Sequence, residues 1–193
     1  MTIDLDPESH IYRVDGQRKP SVTGIIKAAG LIDSQWFNEA AAWRGSVVHK
    51  CCELHCKGTL DPATVDPMAQ GYLDAWIAFK KNLGFVPMTI EQFAYTDYGY
   101  CGTPDRIGCL GDGTPCIIDI KTGAIQKWCA LQLAGYLPFV RIGKAVNYRR
   151  YGIQLKPDGR YVMTEYPPEQ LQSDWAAFLA CLTINNWKRV NNA

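Results

Sequence analysis

The sequence predicts an α/β protein, with a strand-rich middle bracketed by helices. Three observations predict it. Runs of strand-type residues crowd between about 86 and 165. Stretches with apolar residues at helical spacing lie on both sides of them. Gly- and Asp-containing turns punctuate the chain where reversals are needed. With 193 residues the chain suits one domain, divided into a helical portion at about 20–83, a sheet core at about 86–165 and a closing helix at about 168–190.

The elements follow in order. His10 to Val14 and then Asp15-Gly16 read as a short strand and a turn. Pro20-Ser21-Val22-Thr23 opens a helix that runs to Ala29, with Ser21 as N-cap and Gly30 as the stop. A longer helix spans about Trp36 to Cys56 and ends at Gly58. After the connector Pro62–Pro67, a third helix to Asn82 carries Tyr72, Trp76 and Phe79 on one face, a core stripe. Met88 to Thr96, Gly99 to Leu110 and Cys116 to Lys121 are strands, with Gly111-Asp112-Gly113 turning between the last two. A helix from Ala124 to Val140 ends near Pro138. Val146 to Leu155 and Tyr161 to Glu165 form a hairpin around Pro157-Asp158-Gly159. A helix from Pro168 to Val190 then turns Leu171, Trp175, Phe178, Leu179 and Leu182 towards the core.

Composition narrows the function. Twenty basic and 19 acidic side chains leave a net charge of +1, unlike a protein that coats nucleic acid. A local basic stretch remains at Arg141, Lys144, Arg149, Arg150, Lys156 and Arg160, either a groove or a solvated surface. No apolar run reaches membrane-spanning length, so no membrane partner is expected. The acidic start, Met1-Thr2-Ile3-Asp4, lacks the basic and apolar regions of a signal peptide, and a cytoplasmic location is expected. The eight cysteines then read as free thiols. Cys52, Cys56 and His49 share a side of one helix, but no CxxC pair supports a metal site there.

Three constellations carry chemistry. The first is Gly102-Thr103-Pro104-Asp105-Arg106-Ile107 with Ile117-Ile118-Asp119-Ile120-Lys121-Thr122-Gly123. Two carboxylates can bind a hard cation, and Lys121 shares the strand face of Asp119 because side chains alternate. Such a set suits metal-assisted cleavage of a phosphodiester. Register decides whether the carboxylates meet. A two-residue loop at Asp112-Gly113 sets Asp105 opposite Ile120, on the wrong face, whereas a three-residue loop at Gly111–Gly113 sets it opposite Asp119. The bland alternative is a surface Asp-Lys pair on an edge strand. Ile118 and Ile120 argue instead for a buried central strand.

The second constellation is Arg44-Gly45-Ser46-Val47-Val48-His49, with Glu53 one turn beyond His49 on the same face. Gly45 permits close packing or ligand approach. His55 lies about 240° round the helix and reads as exposed. The third is Gln132 and Tyr136, again four apart. Glu91 precedes Asp105 as a further carboxylate that either reaches a metal or faces solvent.

Taken together and in this order, these motifs resemble the PD-(D/E)xK nuclease superfamily, and within it the RecB-like branch that includes phage-type exonucleases. The likeness covers roughly residues 20–165. It implies a restriction-endonuclease-like mixed β-sheet flanked by helices, and DNA cleavage dependent on Mg²⁺ or Mn²⁺. It implies His49, Asp105, Asp119 and the Ile120 carbonyl as metal ligands, and Lys121 as catalytic lysine with Asp105 and Asp119. Gln132 and Tyr136 would support the site or contact DNA, with Arg44, Glu53 and Glu91 as further supporting positions. A recombination or single-strand-binding protein is an implied partner, and a bacterial host cell the implied setting if the protein is phage-encoded. The cysteine layout of the iron-sulfur members is absent, since only Cys181 lies beyond Cys129. The rival readings are a structure-selective or restriction-type endonuclease and a noncatalytic DNA-binding module.

Overall fold

The structure, a computed structural model, describes residues 2–6, 11–33, 38–140 and 147–191. It begins with three antiparallel strands, β1 (Ile3–Asp6), β2 (Ile11–Val14) and β3 (Gln17–Lys19). Asp15 and Gly16 both take positive φ, 48° and 76°, and make the two-residue turn that Asp-Gly favours. The outer strands β1 and β3 go beyond the single strand expected, and His10 lies outside the described residues.

Helix α1 (Val22–Ala28) starts where Ser21 Oγ accepts the Gly24 N–H. Helix α2 (Glu39–Lys57) is capped by Asn38, and Gly58 ends it in the left-handed conformation. The expected start at Trp36 lies outside the described residues. Helix α3 (Pro67–Leu83) has Asp66 as cap and Pro67 at its first position, where a missing N–H costs nothing.

Two expected strands are each interrupted. The first divides into β4 (Val86–Ile90) and β5 (Ala94–Tyr95), because Glu91 takes φ 46° between them. The second divides into β6 (Cys101–Gly102) and β7 (Arg106–Cys109) around Thr103-Pro104-Asp105, where proline has no N–H for a ladder. Strand β8 (Pro115–Lys121) follows intact. The next helix, α4 (Cys129–Tyr136), starts five residues later than expected. Ile125 packs against Gly152 instead, and residues 122–128 form bends, irregular chain and a turn before the helix begins. A single 3-10 turn, Leu137–Phe139, carries Pro138. Strands β9 (Arg149–Leu155) and β10 (Tyr161–Tyr166) and helix α5 (Leu171–Asn191) complete the chain, with Val146 outside the described residues.

The main sheet has the order β10-β9-β8-β7-β4 and is mixed, because β8 and β9 run parallel while the other pairs are antiparallel. Helices cover both faces. Cys116, Ile118 and Ile120 join Val48, Cys52, Trp76 and Phe79 of α2 and α3. Ile107 and Ile117 join Ile25, Leu133 and Phe178 of α1, α4 and α5. Each such side chain contributes about 1.5–3 kcal/mol on full burial. No described helix is long and apolar enough to cross a membrane.

Candidate active site

The β7–β8 hairpin sets the geometry. Arg106 pairs with Ile118 and Ile107 with Ile117, and Leu110 N–H bonds the Thr114 carbonyl, so the loop is the three residues Gly111–Gly113. Gly113 supplies φ 85°. Continued two residues, this register puts Pro104 opposite Ile120 and Asp105 opposite Asp119. Asp119 lies on the central strand at 1% exposure, not on an edge.

Proline opposite Ile120 has a consequence. Pro104 cannot donate to the Ile120 carbonyl, which is left for another partner. That partner is His49, whose Nε2 lies 2.9 Å away. The Ile120 N–H donates to Asp105 Oδ2 at 2.6 Å. The backbone of one residue, Ile120, thus orients both an imidazole and a carboxylate. The other ring nitrogen, His49 Nδ1, faces Asp105 Oδ1 and Glu91 Oε1, each at 3.6 Å.

Ligand atoms of His49, Glu91 and Asp105 all lie within 4.8 Å of one another. Donors at about 2.0–2.6 Å from a hard cation span this much across it, so the set fits a divalent ion. Asp119 is adjacent but turned aside, since its two oxygens lie 2.8 and 2.7 Å from Lys121 Nζ. The Ile120 carbonyl serves to fix the imidazole tautomer in this arrangement.

Electrostatics follow from burial. Burial pushes the carboxyls of Asp105 and Asp119 up, opposed by His49 and Lys121. Burial pulls His49 down, but Asp105 and Glu91 outweigh it and hold the imidazole at about 9. Burial likewise opposes charge on Lys121, and Asp119 and Asp105 prevail, pushing it to about 12. Lys121 is therefore a cation, fixed between Asp119, Gln132 Oε1 at 3.4 Å and the Trp128 ring at 5.4 Å.

The surrounding residues take distinct places. Gln132 Nε2 donates towards Thr23 Oγ1 at 3.3 Å and Tyr136 Oη at 3.1 Å, so α1 and α4 together hold the lysine. Glu53 lines the same cleft, of about 740 Å³, yet is held by Lys50 and Lys57 outside the metal cluster. Arg44 is half-buried, its Nε enclosed without a hydrogen-bond partner, and it is not among the described residues lining the cleft. Gly45 lies against Thr122, where an added Cβ would sit 3.8 Å from its hydroxyl.

Other expectations need correction. Arg149, Arg150 and Arg160 do not make a basic groove, because Glu165, Asp174 and Asp158 neutralise them, and Arg150 is buried. Arg141 and Lys144 lie outside the described residues. His55 is half-buried rather than exposed. Of the cysteines near His49, Cys52 is buried and Cys56 accepts the Trp76 indole N–H at 3.3 Å.

Sequence reasoning missed Arg106. Its guanidinium is fully buried over the Trp76 ring and donates to Glu91 Oε1 at 2.9 Å and to the Asp105 carbonyl. It anchors Glu91, whose positive φ directs the chain back to the cluster. An arginine next to Asp105 was visible, but its partner lies 15 residues away across a strand break. Compared with known proteins, the chain matches no family model and no curated sequence.

Proposed function

We propose that this protein is a divalent-metal-dependent DNA nuclease, and more narrowly an exonuclease. The observation that carries the reading is the ion pair of buried Asp119 with half-buried Lys121, beside the His49, Glu91 and Asp105 cluster whose three residues line one open cleft. His49, Glu91 and Asp105 would hold Mg²⁺ or Mn²⁺, with Asp119 beside them. When bound, such an ion polarises a phosphate and acidifies a water.

The chain's own residues do the rest. Lys121, already charged, neutralises the charge that grows on the scissile phosphate, and its ammonium can orient a water by donating to it. Asp119 keeps that ammonium at the carboxylate end of the strand. Gln132, braced by Thr23 and Tyr136, limits the swing of the lysine side chain. A Lys121 that remains protonated is not a general base, which separates this mechanism from direct proton abstraction by lysine.

The exonuclease assignment rests on the motif resemblance, and a recombination or single-strand-binding partner rests on it too. Neither nearby tyrosine offers a free ring to a base in the cleft, because Tyr98, though 53% exposed, packs on Trp175 at 5.3 Å and lines a separate pocket, and Tyr100 is buried with its hydroxyl on the Gly135 carbonyl. The test is a time course on a relaxed closed circle beside the same molecule linearised, in Mg²⁺ or Mn²⁺. Progressive loss of the linear form alone supports an exonuclease. Equal internal nicking of both replaces it with the endonuclease alternative.

A further inference from the structure

A second cavity, of about 470 Å³, shares the start of α1 with the cleft. The chain alternates between the two. Ile11, Ser21 and Gly24 line this cavity, while Tyr12 and Thr23 line the cleft.

The two differ in charge. Glu53, Glu91 and Asp105 line the cleft together with His49 and Lys50. Arg18, Lys19 and Arg189 line the second cavity, and no carboxylate is among its described lining residues. Arg18 and Arg189 are exposed, and neither guanidinium has an ion pair or hydrogen bond among the described residues. Asn185 Nδ2 is enclosed there without an acceptor. Ser21 Oγ accepts the Gly24 N–H at 3.0 Å, which leaves its own proton free to donate. Lys19 already donates to Gln17 Oε1 at 3.3 Å, so the donors left without an acceptor among the described residues are the Arg18 and Arg189 guanidiniums, Asn185 Nδ2 and the Ser21 hydroxyl.

The cavity is built from distant parts held firmly. Cys101 N–H donates to the Pro20 carbonyl at 2.9 Å, and the Tyr12 and Thr103 hydroxyls share a hydrogen bond of 2.9 Å, two residues from Asp105. Lys188 Nζ donates to the Ala28 carbonyl at 3.1 Å, tying α5 to α1 beside Arg189.

We infer that this cavity binds backbone phosphates of the DNA strand whose phosphodiester occupies the cleft. The inference rests on the nuclease reading. A cleft that sets three carboxylates against His49 and Lys50 gives a polyanion no strong attraction, and a chain of net charge +1 has little more to offer. A strand crossing the α1 N-terminus meets cations and amide and hydroxyl donors in the second cavity.

The experiment measures affinity for a labelled single strand of about 15 nucleotides by fluorescence anisotropy, in EDTA, over a range of salt. Wild type is compared with Arg18→Glu/Arg189→Glu and with Arg18→Ala/Arg189→Ala, folding being checked by thermal melting. Loss of two phosphate contacts makes the log–log salt slope shallower by about 1.4 and weakens binding about tenfold at low salt. Turnover of thymidine 5′-(p-nitrophenyl phosphate) with Mn²⁺, a substrate confined to the cleft, stays at the wild-type rate. Unchanged affinity and slope in both folded variants overturn the inference. If wild type does not turn over this substrate with Mn²⁺ and leaves the labelled strand uncut when Mn²⁺ replaces EDTA, the nuclease reading fails by itself, and the anisotropy series still decides the phosphate site.

Discussion

Replacing Arg106 by methionine isolates the buried support of the metal cluster. Methionine keeps an unbranched apolar stem over Trp76 but removes every donor. Glu91 loses its 2.9 Å partner, and the Asp105 carbonyl loses its donor. Breaking a buried ion pair costs about 3–5 kcal/mol. Two features lower that figure. Glu91 is 23% exposed, so water can reach its freed carboxylate. Arg106 Nε and Nη2 have no hydrogen-bond partner, so their desolvation is relieved. The expected loss is therefore about 2–3 kcal/mol, or roughly 4–12 °C in Tm for a chain of this size. Calorimetry without metal reads the stability, and titration with Mn²⁺ reads the site, where affinity falls because Glu91 is no longer aimed. Arg106→Lys does not restore both, since one ammonium does not reproduce the fork. A variant with unchanged Tm and unchanged Mn²⁺ affinity would refute the reasoning.

Other expectations can be checked as directly. Metal-free protein draws stability from His49, whose imidazole is raised from 6.5 to about 9. That contribution is fully present below about pH 6.5 and is lost as pH rises through about 9, because the folded state gives up its extra proton there. Melting in EDTA between pH 6 and 10 should show it, with His49→Gln lacking the dependence; parallel curves for the two proteins count against it. Mn²⁺ affinity should rise over the same window as the proton ceases to compete. Gly71→Ala should destabilise by about 1–3 kcal/mol despite better helix propensity. The new Cβ would sit 1.8 Å from the Pro157 carbonyl oxygen, a backbone atom of the β9–β10 loop. A urea midpoint that rises would exclude this tight contact.

The parts of the fold governed by local rules were legible. Asp15-Gly16 and Gly111-Asp112-Gly113 specify their turns through positive φ, and the second fixes which face Asp105 shares. Alternation placed Ile118 and Ile120 in the core with Asp119 and Lys121 on the other face. Long-range contacts were not legible. The Ile120 peptide orients His49 from 71 residues away, and Thr23 meets Gln132 across 109. Neither separation carries a periodic signal. The start of α4 was misplaced for the same reason, because Ile125 answers to a glycine on β9 and not to its neighbours. The basic residues at 149–160 left groove and solvated surface both open, because the acids that pair with Arg149 and Arg150 come from other elements that only the fold brings beside them.

The central claim is that Lys121 and a divalent ion act together on a phosphodiester. The direct measurement is digestion of end-labelled single- and double-stranded DNA by wild type and Lys121→Ala, in Mg²⁺, Mn²⁺ or EDTA, with Mn²⁺ affinity of both proteins measured alongside. The account predicts cleavage by wild type with either metal and none in EDTA. It predicts at least about a hundredfold loss in the variant, with folding and Mn²⁺ affinity retained. Cleavage in EDTA, wild-type-like turnover by Lys121→Ala, or DNA binding by wild type without cleavage under any metal would contradict it.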